Sequence, residues 1–115
     1  MGIGAYEIPG LRFSLPAGAD VNRFRFVAIN SNGEGEQATA SDVIIGASMN
    51  QAADGEVLEV ADGIVIIEAS AAIAAGAMVV SDANGKAATA GEGGSSAIIA
   101  LTAASAAGEF ISVKI

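Results

Sequence analysis

Four residue types in this chain could carry chemistry: Ser, Asp, Glu and Lys. None stands in a catalytic arrangement. There is no His to activate a serine, and no Ser-x-x-Lys pattern to replace it. Cys is absent as well, which removes thiol chemistry and disulfides. Asp82-Ala-Asn84-Gly85 begins like a calcium loop, but the later ligands and the closing Glu are missing, so it reads as a turn. Lys86 follows directly, yet the first glycine of a phosphate loop, five residues before Gly85, and the hydroxyl after the lysine are not there. Pairs of acids such as Glu34/Glu36 and Glu56/Glu59 read as solvated positions. No enzyme, cofactor, metal or small-molecule substrate is expected.

Charge narrows the partners. Five basic residues against thirteen acidic ones give a net charge of −8, which opposes a nucleic-acid backbone. The charge is unevenly placed. Residues 1–25 hold Arg12, Arg23 and Arg25 against Glu7 and Asp20, whereas residues 26–115 hold Lys86 and Lys114 against eleven acids. The uncharged stretch 69–81 is too short to span a bilayer and is broken by Gly76, and residues 1–20 lack the pattern of a signal peptide. Synthesis in the cytoplasm without membrane insertion is the expectation.

The elements that position these side chains read as β. Asn84-Gly85, between Met78-Val-Val80 and Ala87-Ala-Thr89, marks a hairpin, because Asn-Gly supplies the positive φ of a tight reversal. An earlier copy runs from Phe26–Ile29 through Asn30-Ser-Asn-Gly33 to Ala38-Thr-Ala40. Val43–Ser48 is echoed by Ala97–Thr102, and Ala53–Val60 by Ala106–Val113, at an offset of about fifty residues. Glycines and Asp-Gly or Asn-Gly pairs interrupt the alanines too often for long helices. Phe24, Phe26 and Ala28 are expected on one face of a strand, and Gly63–Glu68 as a separate buried strand after a turn at Asp62-Gly63. Residues 69–75 could form one helical turn, capped by Ser70 and ended by Gly76. The expected fold is all-β, a small barrel or sandwich of two pseudo-repeated units over approximately 22–60 and 76–113, within a domain of residues 21–115.

Residues 1–20 differ from the rest. They contain both prolines, the only Tyr, and apolar side chains at Ile3, Ile8, Leu11, Phe13 and Leu15. A disordered tail would be polar, so this segment reads as an extended arm that packs on something. Tyr6, Ile8, Pro9, Leu11, Arg12, Phe13 and Leu15 are the candidate partner-binding residues, since aromatic and Arg side chains anchor such contacts and extended chains add to sheet edges. The alternative is that the arm lies on its own domain as an edge strand.

Ala71-Ala-Ile-Ala-Ala-Gly76, Val79-Val80, Asp82 and Gly85-Lys86, with upstream Ile45-Gly46 and Asp54-Gly-Glu-Val57, resemble the small cement or head decoration proteins of tailed bacteriophages. The resemblance covers residues 22–115 and departs from the pattern where Ile99-Ala100 replaces Ile-Gly. It implies a non-catalytic β-rich protein on the outer capsid surface of the virion, often trimeric, bridging neighbouring major capsid proteins. Two other readings are compatible with the residues. One is a binding or adhesion module of a tail or cell surface. The other is a lipoyl or biotinyl carrier with Lys86 as acceptor, although here Asn-Gly fills the turn where the carrier lysine would sit.

Overall fold

The computed structural model describes residues 4–91 and 96–115. Ile3 and most of the Gly-Ser segment at 91–96 lie outside the described residues. The rest is all-β. Its strands are β1 (Ile8–Pro16), β2 (Phe26–Ile29), β3 (Gly35–Gln37), β4 (Gly46–Ser48), β5 (Val57–Glu68), β6 (Val79–Ser81), β7 (Ala87–Thr89), β8 (Ile99–Ala100) and β9 (Phe110–Lys114). Among the described residues they form an open seven-stranded sheet, ordered β3-β2-β4-β5-β9-β8 with β1 also on β5, and a two-stranded β6-β7 sheet. All named strand pairs are antiparallel, and the sheets do not close into a barrel.

Strand β5 is the spine. Its first half lies between β1 and β4, with Ala61 opposite both Arg12 and Ala47, and its second half pairs with β9. The pairing pattern recurs along the chain. Leu15 faces Leu58 as Ile67 faces Ile111, a step of 52 residues on the first strand and 53 on the second. Ala47 faces Ala61 as Ile99 faces Lys114, and the bridges Ala17–Gly35 and Val21–Ala52 recur as Ala69–Ala87 and Ile73–Ala104. The β2-β3 hairpin corresponds to β6-β7. In this register the second half of β1 matches the second half of β5, and β5 takes part in both sets of pairs.

Two apolar clusters follow from this. The larger joins Phe26, Val65, Ile67, Ile73, Ile111 and Val113 to Val79 and Ala87 of the two-stranded sheet. A smaller one holds Ala17, Val21, Val27, Ala52, Leu58 and Val60, with Phe13 and Leu15 packed against it. Strand β2 alternates as its sequence suggests, but both of its faces are covered: Phe26 and Ala28 enter the larger cluster and Val27 the smaller, so all three are buried. Phe24 lies outside the strand altogether.

Two local expectations are corrected. Asp62-Gly63 is no reversal: β5 runs straight through it, and Gly63 absorbs the irregularity at φ +89°. A Cβ on Gly63 would stand 2.5 Å from the Gly10 nitrogen, so the close approach of β1 depends on that glycine. Residues 69–75 are not helical. Ala69 and Ile73 are held by bridges to Ala87 and Ala104, and Ser70 donates its hydroxyl to the Ala87 carbonyl at 2.8 Å instead of capping a helix.

Candidate functional site

The N-terminal candidates lie along β1. Pro9 faces Gly63 and Arg12 faces Ala61, so β1 carries one more residue than β5 across this interval, a β-bulge. The bulge frees the Leu11 amide, which donates to Asp62 Oδ1 at 2.8 Å. Beyond the strand, the Tyr6 amide donates to Ser112 Oγ at 2.6 Å and the Tyr6 carbonyl accepts from the same hydroxyl. The chain is thus fastened to its own domain at both ends of the bulge. Both prolines are tolerated because β1 pairs on one side only.

This attachment divides the seven candidates. Phe13 and Leu15 point toward the smaller core and are half-buried. Tyr6, Ile8, Pro9, Leu11 and Arg12 are exposed, Ile8 and Leu11 by 65% and 66%. Arg12 pairs with Glu59 at 2.9 Å, but both side chains are about half in water, so the pair adds at most about 1 kcal/mol. No strand among the described residues covers the outer edge of β1. An unpaired edge beside exposed apolar side chains is a template for another chain.

A second cluster was not singled out in the sequence. Phe24 has φ +67°, the only non-glycine residue with positive φ among those described. For an aromatic side chain this conformation costs of order 1–3 kcal/mol. The Arg23 guanidinium sits 4.6 Å from the Phe24 ring centre, and Phe110 meets that ring edge-on at 4.9 Å. Alongside, Glu68 accepts from Arg25 at 3.4 Å and pairs with Lys86 at 3.2 Å. Phe24 and Glu68 are joined through the backbone, the Glu68 amide donating to the Phe24 carbonyl at 3.0 Å. Nothing in composition signals this cluster, because Phe110 is brought to Phe24 only by the pairing of β9 with β5.

The hairpin tip at Asn84-Gly85 is spent on architecture. Gly85 accepts the Phe26 amide at 2.7 Å, and the Asn84 carbonyl accepts from Gln37 and Arg25. Asp82 Oδ1 accepts the amides of Asn84 and Lys86, both at 2.8 Å, as Asn30 Oδ1 accepts those of Asn32 and Glu34. That Asp82 oxygen is therefore used to shape a turn. Lys86 is folded against Glu68 rather than projecting from the tip. A groove of about 380 Å³ beside Asp42, Ile44 and Ile98 has one carboxylate, and its Oδ2 is taken by the Thr39 amide and hydroxyl. Among the described residues no cluster of acids could hold a metal ion.

The family model described as phage cement protein matches residues 7–115. A search of curated proteins gives no match. Among solved structures, the chain is similar to the N-terminal base of the head fibre protein gp8.5 of bacteriophage phi29. The TM-score is 0.76 at 16% identity, with 91% of this chain and 92% of that one covered. At such low identity the likeness is one of fold.

Proposed function

The chain belongs to the phage cement protein family and decorates the phage capsid, and we propose that it binds the outer surface of the assembled head and bridges neighbouring major capsid proteins. The observation that carries this reading is the outer edge of β1, open and flanked by exposed Tyr6, Ile8 and Leu11. A strand or extended loop of the capsid protein pairs with that edge, while Ile8, Pro9, Leu11 and Arg12 fill its surface. Phe13 and Leu15 act from the other face, holding β1 to its own core. Binding the assembled shell and not its separated subunits shifts the equilibrium toward the shell by mass action. Three copies meeting on the shell as a trimer add multivalency to contacts that are weak one at a time.

The test mixes shells lacking the protein with wild type and with Ile8→Lys/Leu11→Lys, followed by pelleting and imaging. Both residues are exposed, so the variant should melt like wild type and bind about 10- to 100-fold more weakly, the range for losing an interface anchor. Full binding by the variant rejects the β1 edge. Isolated copies on the imaged shells, rather than clusters of three, reject the trimer.

A further inference from the structure

We propose that Arg23, Phe24 and Phe110 form a second docking surface, which takes an acidic segment of the shell protein; this rests on the capsid-decoration reading above. The argument starts from the strained residue. Phe24 at φ +67° stands 52 residues before Gly76 at φ +85°, and the two occupy the same place in the recurring pattern. The Phe24 amide donates to the Ser48 carbonyl, and the Gly76 amide to the Ala100 carbonyl. The fold thus requires a left-handed residue at this turn, and the second unit meets the requirement with glycine. No atom lies within 4 Å of where a Gly76 Cβ would be, so crowding does not exclude a side chain there. The first unit instead carries a large aromatic side chain in a conformation that glycine would adopt without strain.

Burial does not account for that choice. The Phe24 ring is only half-buried, and Phe110, which meets it edge-on, is 46% exposed. A strained residue retained without full burial is the pattern found at binding sites. The surroundings indicate what is bound. Arg23, Arg25 and Lys86 gather here, three of the five cations of a chain with net charge −8. Glu68 is the carboxylate between Arg25 and Lys86, and Glu109, next to Phe110, is occupied by two hydrogen bonds from Ser105. Arg25 Nε is buried and has no acceptor among the described residues. The Arg23 guanidinium over one of two half-exposed aromatic rings, with Arg25 and Lys86 on Glu68 alongside, fits a carboxylate whose hydrocarbon stem rests on the rings. A second copy of this chain is the competing occupant, distinguished by self-association of the free protein.

Three substitutions test this on intact protein and shells lacking it: Phe24→Gly, Phe110→Ser and Arg23→Glu. Phe24→Gly should melt at or above the wild-type temperature, since it relieves the strain, and yet bind shells at least tenfold more weakly. Phe110→Ser should also weaken binding, and Arg23→Glu should do so most strongly at low salt. A Phe24→Gly protein that melts lower but binds normally makes Phe24 a packing residue and overturns the proposal. Equal binding by wild type and all three variants overturns it while leaving capsid decoration intact. Wild type failing to bind shells overturns both. Self-association of free wild type that the variants abolish would assign the surface to a second copy instead.

Discussion

At the scale of single residues, carboxylates in this protein are used to hold loops. Glu109 accepts from both the amide and the hydroxyl of Ser105, at 2.8 and 2.6 Å, and Glu56 accepts the Ala53 amide at the equivalent place in the first unit. The hydroxyl bond, followed by the amide bond, lowers the Glu109 pKa below its ordinary value. A lowered folded-state pKa means the contribution is present above the unfolded value and is lost as pH falls through the folded one. Ser105→Ala should therefore raise the Glu109 pKa toward the ordinary carboxylate range, which an NMR titration of its side-chain carboxyl reads directly. An unchanged value would leave the amide as the only source of the shift. Sequence could not mark this pair as special, since the spacing Ser-x-x-x-Glu is common and only the turn makes both donors converge.

Among elements, β5 shows where sequence reading stops. Asp62-Gly63 has the composition of a turn and was expected to separate two strands, but the hydrogen bonds to β1 on one side and β9 on the other carry one strand through it. Local chemistry supplied the positive φ correctly and its consequence wrongly, because tertiary pairing decides whether a glycine reverses a strand or bends it. The hairpins at 30–34 and 82–86 were legible, since Asn and Asp oxygens shape those turns from within. Two glycines with similar φ separate the roles. Gly55, at φ +85°, has open space around its missing Cβ, and Gly55→Ala should cost about 1–2 kcal/mol from backbone strain alone. Gly63→Ala adds a collision with the Gly10 backbone at 2.5 Å, raising the cost by about 1–3 kcal/mol for overpacking. Denaturant melts of the two variants check the difference; equal losses would mean that β1 can shift away from β5 without cost.

For the whole molecule, the question is what residues 1–20 are. Their prolines and exposed apolar side chains describe an arm, and Arg12-Phe-Ser-Leu-Pro16 shares no identity with Ile64-Val-Ile-Ile-Glu68. Only the alternation survives, with Phe13 and Leu15 in the register of Val65 and Ile67. The strand pairing, not the sequence, reveals that one is the counterpart of the other. A consequence is that the segment cannot be removed as a passive tether. Ala17 is wholly buried in the smaller core, Leu15 and Leu58 close together over Gly35, and β1 covers the whole edge of β5 from Val57 to Ile64. Deleting residues 1–20 should therefore remove several kcal/mol, since losing a single buried Leu-sized side chain already costs about 2–5. Against a total of about 5–15 for a domain of this kind, cooperative melting should be lost or shifted far down. Deleting residues 1–7 removes the Tyr6 hydrogen bonds with Ser112 but leaves β1 whole, and should leave most of the melting temperature intact. A 1–20 deletion that melts like full-length protein would show that the smaller core does not need β1, and would return these residues to the status of a detachable arm.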